Sequence, residues 1–334
     1  MGTDQPKIQA NANFHLVSGK ETFQKRDPRF IEYRKCWKEW PETFHVGEFP
    51  LFLDLEVTSV CNLKCPFCAT TYRGHLIPKG FISFEIIRKI IDEGAEKGLY
   101  GVKFNIRGEP LLHPEITEFV RYAKSKGLID VYFNTNALLL DETIAEKLIE
   151  AGLDRLSISF EGYTKEVYEK HRVGSSYEKV LANIDTMQAL KRRLGVSHPK
   201  IRVQTVMTPE LSNSLEDYRK FWENRADEVA YLDFKEMKRK KKKIIFPWAC
   251  PQIWQRMAVF WDGTILPCNH DDEAFLKLGN INDTNISQCW NSTFLSKLRI
   301  CHKNGEAHKF EACDGCYLRD SEIAKLIESQ TPPK

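Results

Sequence analysis

The stretch Cys61-Asn-Leu-Lys-Cys65-Pro-Phe-Cys68 follows shortly after Leu51-Phe-Leu-Asp-Leu-Glu-Val57, a run whose composition predicts a buried strand. Three thiols at Cys-x3-Cys-x2-Cys spacing in one loop are one ligand short of the four that usually close a four-iron cluster. One iron would therefore keep an open position, where a small molecule can bind and receive an electron. A zinc loop is the alternative interpretation.

With Phe67 directly before the last cysteine, this motif resembles that of the radical S-adenosylmethionine (SAM) enzymes. The resemblance implies that Cys61, Cys65 and Cys68 hold a 4Fe-4S cluster and that Phe67 contributes to the cofactor site. In that family SAM chelates the open iron, and its reductive cleavage releases a 5′-deoxyadenosyl radical. A flavodoxin- or ferredoxin-type electron donor is implied as a partner.

The composition is that of a globular chain, with 334 residues, 42% hydrophobic content and a net charge of +3. Its length predicts two domains. Ten cysteines without an apolar leader at the start of the chain favour metal ligation over disulfides, so we expect a cytoplasmic protein without a membrane segment. The run 238–243 carries six of the positive charges; it predicts a solvated linker, or alternatively a phosphate or nucleic-acid contact, and the remaining surface makes nucleic acid an unlikely partner.

A regular alternation of strands and helices predicts an α/β fold. The predicted strands cover 51–57, 101–106, 130–133, 156–160, 201–206 and 229–234, and the predicted helices cover 81–97, 114–126, 141–151, 177–194 and 214–225. Right-handed crossovers imply a parallel sheet that is either curled into a barrel or doubly wound, and periodicity does not choose between the two. The family resemblance favours a partial, TIM-like (β/α)6 barrel.

A helix with an apolar face is predicted over 26–42, packing across the barrel mouth or its open edge. The domain organisation we expect is an N-terminal extension over 1–50, the barrel over 51–237, a basic linker over 238–247 and an iron–sulfur domain over 248–334. The boundary near 238 is placed where the composition changes to the basic run.

The loop after the second predicted strand contains Gly108-Glu-Pro110, preceded by Arg107. A glycine lets the backbone approach a ligand closely, and a carboxylate accepts hydrogen bonds from an ammonium group. This loop resembles the Gly-Gly-Glu-Pro of radical SAM enzymes, which implies that Gly108, Glu109 and Pro110 hold the amino group of SAM. Arg107 replaces the first glycine and adds a cation near the site.

Polar residues also follow the third and fourth strands. Asn134 and Ser159 are candidate cofactor contacts, although each is also an ordinary residue at a strand end. The segment from Glu161 to Arg172 resembles the Ser-x-Asp-Gly … Arg pattern of the family, which implies that Arg172 contacts the SAM carboxylate. The alternative for Glu161 is a solvated loop charge.

A second cysteine set comprises Cys250, Cys268, Cys313 and Cys316. A hairpin turning at Asp262-Gly263 would bring the first two together, and the Cys-x2-Cys pair would complete four ligands; structural zinc is the alternative. The spacing Cys-x12-Gly-x4-Cys … Cys-x2-Cys resembles SPASM/twitch extensions, and the shorter twitch type implies one auxiliary 4Fe-4S cluster. Cys289 and Cys301 fall outside the pattern.

The family resemblance favours oxidation of a small hydroxylated substrate, such as a sugar or cyclitol, with the auxiliary cluster accepting an electron. The candidate catalytic bases are Arg107, Glu161, His171 and Asp271. The alternative is an epimerase of a sugar or peptide, including a peptide maturase, in which Cys36, Cys289 or Cys301 would donate a hydrogen atom. A non-enzymatic iron–sulfur electron carrier and an RNA-modifying enzyme are the remaining hypotheses.

Overall fold

The computed structural model describes residues 13–19, 27–234 and 243–330. Its strands form one sheet in the order β1-β7-β6-β5-β4-β3-β2-β8-β9-β10. The strands are β1 Phe14–Ser18, β2 Phe52–Leu55, β3 Gly101–Lys103, β4 Asp130–Thr135, β5 Arg155–Ser159, β6 Lys200–Val206, β7 Glu228–Leu232, β8 Arg256–Val259, β9 Thr264–Leu266 and β10 Gly279–Asn280. All six predicted strands are present, with shifted ends.

Strands β2 to β7 are parallel neighbours in chain order, which confirms the predicted α/β fold. Strand β1 pairs antiparallel with β7 at one edge. At the other edge β8 pairs parallel with β2, and β9 and β10 follow as antiparallel neighbours. The sheet therefore runs without interruption from the predicted barrel into the predicted iron–sulfur domain, and the domain boundaries stay a prediction.

The crossovers are helical, as predicted. The helices are α1 Pro28–Thr43, α2 Ala69–Tyr72, α3 Phe84–Glu96, α4 Ile116–Ser125, α5 Glu142–Glu150, α6 Lys165–His171, α7 Tyr177–Leu194, α8 Pro209–Ser212, α9 Leu215–Trp222, α10 Gln252–Gln255, α11 Ile286–Trp290, α12 Thr293–Lys303 and α13 Tyr317–Gln330. Ser83 is the N-cap of α3, because its hydroxyl accepts a hydrogen bond from the Ile86 N–H at 3.3 Å.

Side chains along the parallel strands alternate between an apolar and a polar face. On β2, Leu53 and Leu55 are buried in the core beneath the helices, whereas the equally buried Asp54 lies on the other face. On β5, Leu156 and Ile158 belong to the same core. The polar side chains surround a central space, here called the lumen. A sheet with helices outside and a polar lumen inside is a partial barrel, and the structure thus distinguishes it from a doubly wound sheet.

Helix α1 closes the amino-terminal end of the barrel. Tyr33 and Trp37 on α1 pack against Phe52 at the start of β2 and against Tyr100 just before β3. The predicted position across the mouth or the open edge is therefore wrong. The aromatic face of α1 is complementary to the aromatic rings at the amino ends of the strands, and not to the polar loops at their carboxyl ends.

A Trp37→Ala variant is expected to lose about 3–5 kcal/mol of unfolding free energy, because this indole is only 4% exposed and its removal opens a cavity under α1. Urea unfolding followed by circular dichroism measures the loss. The matched control is Ile31→Ala on the same helix, where the side chain is 54% exposed and the expected change is within about 0.5 kcal/mol. If both substitutions lowered the free energy of unfolding equally, this would contradict a stabilising role of the aromatic face.

Most of the basic run 238–243 lies outside the described residues. Lys243 is described, and its backbone N–H donates a hydrogen bond to Asp314 Oδ1 at 3.0 Å. Within the described ranges, no helix has both the length and the apolar character needed to cross a membrane.

Candidate functional site

A cavity of about 530 Å³ occupies the lumen and extends to the loops at the carboxyl ends of the strands. Its lining brings together most of the predicted site residues from separate parts of the chain: Cys61, Cys65, Phe67, Cys68, Arg107, Gly108, Glu109, Asn134, Ser159 and Arg172. Pro110, Glu161, His171 and the four cysteines of the second set are not part of the lining. The carboxyl end of the sheet is thus the place where the predicted groups meet.

The three-cysteine loop is held at the end of β2 by short-range hydrogen bonds. The Cys68 N–H donates to the Cys65 carbonyl at 3.1 Å, and the Leu63 N–H donates to Cys61 Sγ at 3.5 Å. Burial, the Glu109 carboxylate and the nearby Cys68 and Cys65 thiols together raise the pKa of Cys61 to about 11, because each of them disfavours the thiolate. Three sulfur atoms that influence one another in this way fit the donor set of an iron–sulfur cluster.

Gly108 lies directly against the chain that leads into this loop. Its φ is +71°, and a Cβ built on it would lie 2.2 Å from the Thr58 carbonyl oxygen. The next residue, Glu109, donates its backbone N–H to the Val60 carbonyl at 2.8 Å. Only glycine can therefore bring the loop after β3 into contact with the segment before Cys61.

The Glu109 carboxylate joins three loops. It accepts hydrogen bonds from Thr135 Oγ1 at 2.6 Å, the Asn136 N–H at 2.7 Å and the Leu111 N–H at 3.1 Å. Asn136 Nδ2 in turn donates to Asn62 Oδ1 in the cysteine loop at 2.8 Å. The carboxylate is 2% exposed, and burial raises its pKa although these hydrogen bonds act in the opposite direction. Its two oxygens offer about four acceptor sites, so one remains for a ligand ammonium group.

Arg107 forms a buried ion pair that the sequence analysis did not foresee. Its guanidinium contacts Glu56 through two nitrogens, at 2.5 and 2.8 Å, and donates through Nη1 to the Asp272 carbonyl at 2.9 Å. It also lies 3.8 Å from the centre of the Phe260 ring. A guanidinium stays protonated in proteins, so Arg107 is unsuited to act as a base. It instead connects the ends of β2 and β3 to the C-terminal segment.

Arg172 forms a second ion pair, with Glu161. Arg172 Nη2 donates to Glu161 Oε1 at 2.8 Å and Nε contacts the other oxygen, while Nη1 lies 3.7 Å from Cys65 Sγ. Glu161 is 1% exposed, so its interpretation as a solvated loop charge is wrong. Because this carboxylate is bound by Arg172 away from the cavity, it positions the guanidinium beside the cysteine loop.

His171 and Asp271 also lie outside the cavity lining. His171 is 3.7 Å from Glu210 and its ring is 6.0 Å from that of Phe67. The Asp271 carboxylate accepts the N–H groups of Phe275 and Leu276 at 3.1 and 2.7 Å, which stabilises a turn. Neither side chain therefore faces the space in which a substrate would bind.

The second cysteine set also converges. The hairpin of β8 and β9 turns at Asp262-Gly263 as predicted, with Gly263 at a φ of +84°. Burial raises the pKa of Cys268 and Cys313 well above the usual value, and the other thiols of the set raise both further. The four sulfurs of Cys250, Cys268, Cys313 and Cys316 thus lie within electrostatic reach of one another.

Neither cysteine set has the close arrangement of side chains that would hold one metal ion. Within 13–19, 27–234 and 243–330, no three or more His, Cys, Asp and Glu side chains are arranged to hold a single metal ion. A four-iron cluster binds each of its cysteines at a different iron.

His302 contacts the second set directly. Its Nδ1 accepts the Cys250 N–H at 3.2 Å, so the ring proton is on Nε2, which lies 3.4 Å from Cys313 Sγ. Burial lowers the pKa of His302 to about 3 and keeps the ring neutral. The imidazole N–H is therefore a hydrogen-bond donor to the Cys313 sulfur. The sequence analysis missed this residue, since its distance along the chain from either cysteine gives no signal.

His270 and Tyr317 are further cavity residues that the sequence analysis missed. Tyr317 Oη and His270 Nδ1 are 2.9 Å apart, and both side chains line the cavity. Tyr317 directly follows Cys316, and His270 follows Cys268 by two positions. Their positions in the sequence, close to predicted cluster ligands, could have identified them as site residues.

Two protein-family models match the chain. The radical SAM superfamily model matches residues 55–221, and a model of the SPASM iron–sulfur cluster-binding domain matches residues 250–317. These matches imply SAM with a 4Fe-4S cluster in the first region and auxiliary iron–sulfur ligation in the second. Iron–sulfur ligation is thus confirmed over zinc for both regions, and the assignment of the individual cysteines as ligands stays a prediction.

Among curated proteins, the chain is similar to the tungsten-containing aldehyde ferredoxin oxidoreductase cofactor-modifying protein of Pyrococcus furiosus, at 24% identity over 322 residues, covering 81% of this chain and 88% of that protein. A probable GTP 3′,8-cyclase of Methanococcus maripaludis is 36% identical over 131 residues, 39% of this chain and 43% of the relative. This match therefore spans less than half the length of the cyclase.

Among solved structures, SuiB of Streptococcus suis bound to precursor peptide SuiA gives a TM-score of 0.63 at 17% identity, covering 90% of this chain and 77% of that one. BtrN in complex with AdoMet and 2-DOIA gives 0.55 at 18% identity, covering 81% and 94%. These likenesses concern the fold. Since the superfamily model spans half of the chain and contains the three-cysteine loop, the chain belongs to the radical SAM superfamily and carries a C-terminal SPASM iron–sulfur domain.

Proposed function

We propose that this radical SAM enzyme is a dehydrogenase of a small, carbohydrate-like or polyol substrate and that its auxiliary cluster accepts the released electron. The observation that supports the proposal is that one cavity is lined both by the three-cysteine loop and by residues next to the auxiliary cysteines in the sequence. Cys61, Cys65 and Cys68 line one part of it, and His270 and Tyr317, neighbours of the auxiliary cysteines, line another. A substrate in this cavity would lie between the radical source and an electron acceptor.

The chain's own residues would hold the cofactors as follows. Cys61, Cys65 and Cys68 would bind one cluster, and the second cysteine set would bind one auxiliary 4Fe-4S cluster. Bound SAM would supply the hydrogen-abstracting radical. The remaining acceptor site of Glu109 suits the SAM ammonium group, and the Arg172 guanidinium beside Cys65 suits its carboxylate. Phe67, Gly108, Asn134 and Ser159 line the same space.

The positions of the cysteines favour dehydrogenation over a cysteine-dependent epimerisation. All ten cysteines lie in the described residues, and those lining the cavity are the three cluster ligands. Cys36 contacts Glu32 on α1, and Cys289 is part of the hydrophobic core. An epimerase of this kind needs a thiol that faces the substrate radical.

The size and polarity of the cavity favour a small substrate over a peptide. Its volume of about 530 Å³ must accommodate both SAM and the substrate, and α1 closes its far end. Side chains such as Asn105, Ser157 and Gln204 line it and can hydrogen-bond to hydroxyl groups. The electron donor we propose is a flavodoxin- or ferredoxin-type protein.

Anaerobically reconstituted enzyme, incubated with dithionite and SAM in heavy water, tests the proposal against a panel of sugars and cyclitols. A substrate should stimulate release of 5′-deoxyadenosine and yield a product two hydrogens lighter. A product of unchanged skeleton with one carbon-bound deuterium would replace the dehydrogenase proposal by the epimerase alternative. A lack of 5′-deoxyadenosine under all conditions would contradict both.

A His302→Ala variant is expected to lower the reduction potential of the auxiliary cluster, because hydrogen bonds to cluster sulfurs help to stabilise the reduced state. A redox titration followed by electron paramagnetic resonance measures the shift, and the turnover of the proposed dehydrogenase should fall with it. His308→Ala serves as the matched control, since His308 is on the following 3-10 helix and its Nδ1 has no hydrogen-bond partner among the described residues. An unchanged potential in His302→Ala would show that the 3.4 Å contact does not tune the cluster.

A further inference from the structure

We propose that the lower lumen contains an anion subsite, formed by Arg155, Ser157 and Arg202, which binds a carboxylate or phosphate group of the substrate. This proposal rests on the proposed function, because it places the substrate in the barrel lumen. It narrows the substrate class to hydroxylated molecules that carry a negative charge.

Arg155 is the central residue of this subsite. It points from β5 into the cavity, and its guanidinium lies 3.8 Å from the centre of the Tyr132 ring. The nearest carboxylate oxygen, Asp130 Oδ1, is 3.8 Å from Nη2, which is too long for a hydrogen bond. Arg155 Nε is buried without a hydrogen-bond partner among the described residues. The arginine is therefore held by stacking and lacks the directed contacts that a guanidinium usually makes.

The Ser157 hydroxyl provides independent support for the subsite. It is 1% exposed, lines the cavity, and its Oγ has no hydrogen-bond partner in the part of the chain described. A buried hydroxyl without a partner is unfavourable, because the group has lost its hydrogen bonds to water. An anion bound beside Arg155 would accept a hydrogen bond from this hydroxyl and remove that cost.

Arg202 borders the same space from β6, where it is the register partner of Ser157. Its Nε donates to Glu228 Oε2 at 2.6 Å, so one side of the guanidinium is already used. Burial and the charge of Arg155 lower the pKa of Arg202, which indicates that the two cations lie close together. Two neighbouring guanidinium groups repel each other until an anion joins them.

The ion pairs of the lower lumen contain more cations than carboxylates. Lys103 and Arg256 share the single carboxylate of Asp54, at 2.6 and 3.2 Å. The ion pairs of this region contain four cations against three carboxylates: Lys103, Arg155, Arg202 and Arg256 against Asp54, Asp130 and Glu228. A carboxylate or phosphate matches the forked geometry of the free arginine donors.

Titration calorimetry on the anaerobic holoenzyme tests the subsite with inorganic phosphate and with acetate as separate probes. At least one probe should bind to the wild type and bind at least about tenfold more weakly to Arg155→Gln, since a charged hydrogen bond is worth about 1.5–3 kcal/mol. Arg155→Lys, which retains the charge, should be affected less. Ser157→Ala, which barely changes packing, should weaken binding by a smaller factor. The control is Arg121→Gln on the exposed face of α4.

The probe that binds more tightly, phosphate or acetate, identifies the anionic group. Glucose 6-phosphate and glucuronate, which carry these groups, should then bind more tightly than glucose. Binding of neither probe, or equal binding to wild type and Arg155→Gln, would overturn the subsite. Cluster absorbance verifies that each variant is folded. Release of 5′-deoxyadenosine is measured in parallel, with and without the panel of sugars and cyclitols: its presence without anion binding refutes the subsite alone, and its absence under all conditions refutes the proposed function.

Discussion

A Cys65→Ala variant is expected to release no 5′-deoxyadenosine above background, a loss of about a thousandfold or more, because the electron has no route to SAM without the cluster. Cys65 is buried, and its sulfur lies beside the Arg172 guanidinium and the Cys68 thiol. Iron content after anaerobic reconstitution should fall from about eight to about four atoms per chain, with the auxiliary cluster retained.

Cys36→Ala is the matched control for this substitution. Cys36 is half-buried on α1, contacts Glu32, and does not line the cavity. Iron content and SAM cleavage should both stay at the wild-type level. Wild-type cleavage by Cys65→Ala, or loss of all iron in both variants, would be incompatible with the assigned role of the three-cysteine loop.

A Gly108→Ala variant is expected to lose about 3 kcal/mol of unfolding free energy and at least about tenfold in SAM affinity. The added Cβ would lie 2.2 Å from the Thr58 carbonyl oxygen and 2.8 Å from the Val60 carbonyl oxygen, both backbone atoms. The loop must therefore move away from the cysteine loop, and Glu109 moves with it. Urea unfolding and equilibrium dialysis with SAM measure the two losses.

Gly98→Ala separates crowding from backbone strain. Gly98 also has a positive φ, +82°, but a Cβ on it would meet no atom within 4 Å. Its substitution should cost about 1 kcal/mol from strain alone and leave SAM affinity unchanged. If both alanine variants lost the same unfolding free energy and SAM affinity, the close contact at Gly108 would not be what positions Glu109.

The expectation that periodicity does not distinguish a barrel from a doubly wound sheet was wrong, because the strands contain a signal that does. Asp54 and Glu56 alternate with leucines on the first strand, and Lys103 and Asn105 alternate with apolar residues on the second. Strands covered by helices on both faces are nearly continuously apolar, whereas a lumen requires one polar face. The period-2 pattern thus predicts the architecture without any family resemblance.

The roles of Arg107 and Glu161 could not be predicted in this way. Arg107 was interpreted as an extra cation near the site, and Glu161 as a possible base or a loop charge. Their partners are Glu56 and Arg172, at sequence distances of 51 and 11 residues. A charge pattern along the chain shows which residues are ionic, but not which opposite charge is within reach after folding.

Local chemistry in the sequence determined the three-cysteine loop, the glycine before Glu109 and the hairpin at Asp262-Gly263, because thiol spacing and backbone freedom depend on adjacent residues. Only the tertiary structure decided that α1 closes the amino-terminal end, that Arg172 is shared by Glu161 and Cys65, and that His302 reaches Cys313. These contacts join residues from different elements, and their distances follow from how the strands and helices pack.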